Sequence, residues 1–278
     1  ATEEARAACA RFVHIQGDVP AMAAAIRADA PHALLFLDVG MSGVQAQLAA
    51  LRLAPLQAAT WGHPETSGLP DIDAYLSSAL MEPADAEAHY TETLIRLPGI
   101  GVSVRPPVAP PGLDWQTRED FGLDADAVVF LCCQSPHKYL PDDDALLARI
   151  AAHVPRAQFV FLAPNPLVAA DLRRRLTGAF SAAGLDAGRH CVVLRPQPPT
   201  SYWTLNRRAD VFLDSVSWSG CNTTLEAIAL GLPVVTLPGR FMRGRHSLAL
   251  LTQLGVTDTR SEEHTSELQS RGLISYAV

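Results

Sequence analysis

The sequence predicts an α/β protein organised around a doubly wound parallel sheet. Two observations predict it. Beyond about residue 114, five apolar runs of strand length alternate with helical stretches. Each run is continuously apolar instead of alternating with polar residues, which is the pattern of strands covered on both faces. The size agrees: 278 residues, 48% of them hydrophobic and 18% charged, form a globular mix long enough for two domains.

In order along the chain, the opening residues are already helical in character, and Ala1 stands where Met would begin a chain, so an upstream portion is expected. Alanine-rich helical stretches at 21–30 and 45–53 flank ALLFLDVG (33–40), an apolar run ending in a Gly turn, which reads as helix, buried strand, helix. Further short strands are expected at 56–62, 74–80 and 94–98. From 96 to 113 Pro and Gly accumulate without a period, as in a linker. The five runs follow: AVVFLCC (127–133), QFVFLAP (158–164), CVVLRP (191–196), DVFLDS (210–215) and PVVTLPG (233–239). In such sheets ligands lie at the carboxyl ends of the strands, so chemistry is expected in the loops after these runs.

Charge and cysteines narrow the classes. With 22 basic and 29 acidic residues the net charge is −7, which argues against a general electrostatic grip on nucleic acid. The 5 Cys are odd in number and lack zinc spacing, as expected of free thiols in a reducing compartment. No run is apolar enough to span a bilayer and no leader pattern opens the chain, so a cytoplasmic protein is expected, with neither nucleic acid nor membrane as partner.

The richest loop follows DVFLDS. Ser219, Gly220, Cys221, Asn222 and Thr223 form a small polar turn running into the helix TLEAIAL, where unpaired amides and the helix dipole favour an anion. Glu226, one turn inside, is placed to accept hydrogen bonds from a ribose. The alternative is an ordinary helix start, capped by Asn222 or Thr223 with Glu226 favoured by the dipole. After AVVFLCC, Gln134, Ser135, His137 and Lys138 lie where strand gives way to helix, with Lys138 suited to neutralising a diphosphate. Asp142, Asp143 and Asp144 follow Pro141 at a helix start, where carboxylates are favoured without a metal. In WGHPETSGLPDID (61–73), His63 and Thr66 are candidates to face a cleft, and His63 is the candidate general base. No Cys/His metal cluster is expected.

The last twenty residues depart from this pattern. RSEEHTSELQS (260–270) resembles the translation of a sequencing-library adapter, so 259–278 is expected to be non-native, and Ser261, Glu262, Glu263 and His264 are not read as a site.

At three segments the sequence resembles a known family. LRLAPLQAATWGHPETSGLPDIDAYL, the QSPHKYLP loop and RADVFLDSVSWSGCNTTLEAIALGLPVVTLPG are similar to the catalytic region of O-linked N-acetylglucosamine transferases, notably the bacterial type with tetratricopeptide repeats upstream. The resemblance runs from about 30 to 254. It implies the GT-B glycosyltransferase fold, two Rossmann-like domains facing a cleft: 1–105 as an incomplete acceptor-side lobe, 106–113 as linker, and 114–258 as the UDP-sugar lobe. It also implies an inverting transfer, without a metal or other cofactor, from a UDP-sugar to a protein Ser/Thr hydroxyl, so the expected partners are the donor and a protein or peptide acceptor. Within it, Lys138 matches the lysine on the diphosphate, Cys221, Asn222 and Thr223 the phosphate turn, and Glu226 the acidic residue on the ribose. Pro196 and Gln197 fall on the strand end that flanks the uracil, and Gly62, His63, Pro64 and Thr66 match the first-lobe loop facing donor and acceptor. Three departures stand out: Cys221 replaces a histidine, Tyr202 replaces the cleft histidine, and the glutamine near Lys138 is shifted to Gln134 or Ser135. A transferase acting on a small molecule, lipid or glycan, and a scaffold that has lost turnover, are the alternatives.

Overall fold

The computed structural model describes residues 2–256; the tail at 259–278 lies outside the described residues. The chain forms two units, Ala1–Ser77 with Ala84–Leu97, and Ser78–Pro83 with the chain from Pro98 onward.

In the first unit, helices α1 (Thr2–Ala8) and α2 (Val19–Asp29) precede strand β1 (Ala33–Phe36). Helix α3 (Gly43–Ala49) then leads to β2 (Leu56–Thr60), β3 (Ala74–Ser78) and β4 (Thr93–Leu97). Short polar side chains start the helices: Asp18 accepts from the Ala21 amide at 3.0 Å and Ser42 from the Gln45 amide at 3.3 Å. The sheet order is β1-β2-β3-β4, with β1 and β2, and β2 and β3, parallel. The expectation of a buried first strand is corrected here. β1 is the sheet edge, only its Phe36 is buried, and Leu35 is 47% exposed. At the heart of β2, buried Gln57 accepts from the Leu53 amide and donates to the Leu51 and Asp71 carbonyls, so its amide is satisfied and ties the flanking loops to the sheet.

The second unit realises the doubly wound sheet. Its strands are β5 (Val128–Cys132), β6 (Ala157–Leu162), β7 (Cys191–Leu194), β8 (Val211–Leu213) and β9 (Val234–Val235), all parallel to their neighbours in the order β7-β6-β5-β8-β9. The helices are α4 (Asp144–His153), α5 (Pro166–Ala182), α6 (Ala187–His190), α7 (Pro199–Arg208), α8 (Asn222–Ala229) and α9 (His246–Gln253). Successive strand residues point to opposite faces. Phe130, Phe159 and Phe161 accordingly pack with Leu147 of α4 and Leu172, Leu176 and Phe180 of α5. Val129, Leu131, Val160 and Phe212 pack on the other face with Leu205 of α7, Ala227 of α8 and Leu251 of α9. No helix among the described residues is long and apolar enough to cross a membrane.

The acidic run takes a structural role. Pro141–Asp143 is a single 3-10 turn, and Asp144 opens α4, buried against Arg175 of α5 in a two-pronged pair at 2.8 and 3.0 Å. Among the described residues no three His, Cys, Asp or Glu side chains gather as a metal site.

Candidate functional site

Within the second unit the chain leaves β5 toward β6 on one side and later returns to β8 on the other, so the order reverses between β5 and β8. A parallel sheet opens a crevice at such a reversal, beyond the carboxyl ends of the strands. The two loops singled out by the sequence, after β5 and after β8, both begin there.

The organiser of this place is Asp214, which the sequence reading passed over. It follows β8 directly and is buried. One carboxylate oxygen accepts from the Gly220 amide at 2.7 Å and from Gln134 Nε2 at 3.2 Å; the other accepts from Ser219 Oγ at 2.6 Å and Thr236 Oγ1 at 2.9 Å. Burial pushes this carboxyl above its ordinary range, against the pull of the bonds from Gly220, Ser219 and Thr236. Four donors on two oxygens match the acceptor-only ionised form. A further tie comes from α9, where the Ser247 amide donates to Ser219 Oγ at 2.9 Å. Gly220 is required: a Cβ there would lie 2.6 Å from Thr223 Oγ1 and 2.7 Å from Thr224 Oγ1.

The turn so held leads into α8, whose cap residue is Cys221 with no side-chain cap bond, in place of the Asn222 or Thr223 cap the sequence suggested. The first-turn amides therefore lack both an intrahelical acceptor and a cap, which leaves the helix dipole open to an anion. Asn222 is exposed, while Cys221 and Thr223 are partly exposed. Burial raises the Cys221 thiol above its ordinary value, so it stands in the turn as a neutral group. From the loop after β5, Lys138 Nζ donates to the Ser219 carbonyl at 3.2 Å. Burial lowers the Lys138 ammonium from its usual value, with the charge of Asp214 opposing. One turn into α8, half-buried Glu226 accepts from Tyr202 Oη at 2.9 Å, and burial raises its carboxyl. Lys138, Gly220, Cys221, Asn222 and Thr223 thus gather at one end of the sheet, with Glu226 and Tyr202 one helical turn farther on.

The other candidates lie outside this turn. Gln134 is buried, giving its amide nitrogen to Asp214 and receiving the Tyr139 hydroxyl, so it builds the turn and exposed Ser135 is left as the surface candidate. Gln197 is held at both ends, donating to the Arg195 carbonyl at 2.9 Å and accepting from Ser201 Oγ at 2.8 Å, beside an exposed Pro196. In the first unit, Gly62 admits no side chain because a Cβ would sit 1.9 Å from the Leu37 carbonyl oxygen. Pro64 is buried, and Thr66 donates to buried Glu92 at 2.7 Å, which anchors the loop. Burial alone would raise Glu92, yet the bonds from Ser67 and Thr66 leave it below its ordinary value. His63 is partly buried with Nε2 3.4 Å from Glu65, and its ring lies where a Cβ on Gly40 would be, 2.4 Å from its nearest atom.

His246, which starts α9 behind the turn, carries a pH prediction. Burial, and next the charge of Lys138, lower it to about 4 from its ordinary 6.5. The unfolded chain then binds a proton between these values that the folded chain refuses. Stability is therefore complete above about pH 6.5 and declines as pH falls toward 4. Urea midpoints measured from pH 7 to 4 should fall, and His246→Gln should flatten that slope.

No family model matches the chain. Curated relatives do: it is 28% identical over 214 residues to "Probable UDP-N-acetylglucosamine--peptide N-acetylglucosaminyltransferase SPINDLY" of Arabidopsis thaliana, across 74% of this chain and 22% of that protein. It is 26% identical over 246 residues to the SEC protein of the same description and organism, across 84% of this chain and 24% of that one. A solved O-GlcNAc transferase variant from Thermobaculum terrenum superposes with a TM-score of 0.76 at 28% identity, covering 94% of this chain and 48% of that chain. The chain spans less than a quarter of these two curated relatives and about half of the solved one. It has the α/β, parallel-sheet architecture of the GT-B glycosyltransferases, and in sequence and in fold its relatives are the O-GlcNAc transferases, to whose catalytic region it corresponds in part.

Proposed function

We propose that the chain is part of a UDP-sugar-dependent glycosyltransferase that moves N-acetylglucosamine, with inversion, to a Ser or Thr hydroxyl of a protein acceptor. The observation that carries this reading is the uncapped start of α8, held rigid by Asp214 at the strand-order reversal with Lys138 bonded to the same turn. In the transfer the acceptor oxygen attacks the anomeric carbon, the bond from that carbon to the β-phosphate oxygen breaks, and its electron pair leaves on UDP. Preorganised amides and an ammonium stabilise charge developing on that oxygen without reorganising during the reaction. Lys138 and the amides of Asn222 and Thr223 take this role, with no metal. His63 takes the proton of the acceptor hydroxyl, Glu226 binds the ribose, Ser135 faces the donor, and Pro196 and Gln197 flank the base. A cytoplasmic setting and upstream tetratricopeptide repeats of the bacterial type belong to the same reading.

Calorimetry with UDP in the presence of chelator, followed by mass analysis of a peptide incubated with UDP-N-acetylglucosamine, tests it. UDP binding and a sugar on the peptide are expected; a strict need for magnesium or manganese would sink the metal-free step, and sugar found only on a small molecule would move the acceptor class. Glu226 gives a separate test. Glu226→Ala should weaken UDP binding by about 1.5–3 kcal/mol if its carboxylate accepts the ribose hydroxyls. A residue that only complements the helix dipole would cost about 0.3–1 kcal/mol of folding stability and leave affinity unchanged.

A further inference from the structure

Beside the α8 turn, Lys138 meets three residues that neither the sequence reading nor the mechanism uses: Trp218, Phe241 and Arg243. Trp218, the residue before the turn, is half-buried. Two cations share its indole: Lys138 Nζ lies 5.9 Å from the ring centre and the Arg243 guanidinium carbon 5.8 Å from it. Arg243 also rests on the Phe241 ring at 4.7 Å. These are ordinary distances for a cation attracted to an aromatic face.

Arg243 is held there by its backbone. Its carbonyl accepts the Ser219 amide at 2.7 Å, which joins the segment 240–243 directly to the turn. The base of that segment is pinched, because a Cβ on Gly244 would come within 3.0 Å of the Gly239 Cα and one on Gly239 within 3.3 Å of the Val216 carbonyl oxygen. The Gly239 amide donates to the Gly244 carbonyl at 2.9 Å, and buried Arg245 donates to the Gly239 carbonyl at 3.2 Å and the Met81 carbonyl at 2.9 Å. Met242 is buried beneath.

Two cations held at one ring and tied to one turn concentrate positive charge beside the uncapped start of α8, where an anion would meet both. We propose that Arg243 is a second cation of the donor diphosphate site, positioned by Trp218 alongside Lys138. Its guanidinium offers the forked donor geometry that suits phosphate oxygens, whereas Lys138 acts as a point charge. The proposal rests on the donor-site reading given above and adds a residue to it.

The test compares UDP with uridine, which lacks the phosphates, by calorimetry on the full chain at two salt concentrations. Arg243→Gln should weaken UDP binding about tenfold or more, reduce its salt dependence and leave uridine binding unchanged. Arg243→Lys, which keeps the charge, should recover part of the loss, and thermal unfolding checks that each variant folds. Unchanged UDP affinity in the Gln variant overturns the proposal. So does an equal loss for UDP and uridine, which would mark Arg243 as structural only, and so does a folded Lys variant that binds UDP no better than the Gln variant. If the unaltered chain binds uridine but gains nothing from the phosphates, the donor-site reading itself fails, and that result is distinct from all three.

Discussion

Asp214→Ala should destabilise the second unit by about 3–5 kcal/mol and abolish binding of a uridine nucleotide. Removing the carboxylate leaves the Gly220 amide, the Ser219 and Thr236 hydroxyls and the Gln134 amide without their acceptor. All four residues are buried. Each buried donor left unsatisfied costs about 1–3 kcal/mol, and relaxation of the loop keeps the total below the sum, among the larger single-substitution effects. At roughly 2–4 °C per kcal/mol for a unit of this size, the melting midpoint should drop by about 10 °C. Asp214→Asn separates the two consequences. It preserves shape but turns an amide nitrogen toward donors, so it should retain more stability while still deforming the turn. Differential scanning and UDP titration of both variants would show this; wild-type affinity in a folded Asp214→Ala chain would remove Asp214 as the organiser.

Lys138→Met should lower the transfer rate by about 10²–10³-fold, the usual cost of deleting one preorganised group that stabilises a developing oxyanion. UDP affinity should fall by a smaller factor, because the ammonium counts for most when charge accumulates on the leaving oxygen. The fold should survive, since methionine fills the space of the lysine stem and what is lost is the bond to the Ser219 carbonyl and the charge over the Trp218 ring. Steady-state kinetics against a peptide acceptor check it. A kcat within threefold of the unaltered protein would place Lys138 outside the chemistry.

How much of this was legible in the sequence depended on whether the evidence was local. The strands of the second unit stood out because each of their residues faces a covered side, so the run reads as apolar without interruption. Where a strand is an edge, as β1 is, the same apolar letters mislead: Leu35 and Leu37 are exposed. The run 233–239 shortened to Val234–Val235, since Pro233 has no amide to donate to a ladder and Pro238 closes the segment. Site residues divided in the same way. The α8 turn was legible because small polar residues next to a helical run carry their meaning locally. The role of Asp214 was not, for its partners are Gln134, 80 positions earlier, and Thr236, 22 positions later, and only folding brings them together. The anchoring of Thr66 was hidden for the same reason, its hydroxyl being bonded to Glu92 across 26 positions. One signal in the text marked Asp214: an acidic residue closing an otherwise apolar strand has a reason to be there, because burying it unbonded is prohibitive.

The pinned turn before α8 also determines what recognition costs. A flexible anion loop must surrender backbone freedom when its ligand arrives, at about 1–2 kcal/mol for each residue ordered. Here the inward-facing donors of that loop are already spent on Asp214, Arg243 and each other. Amide protons of Ser219 and Gly220 are locked while those opening α8 stay available, so the segment behaves as a rigid frame around an open socket. On the donor-site reading proposed above, affinity gained there would be nearly undiluted by ordering.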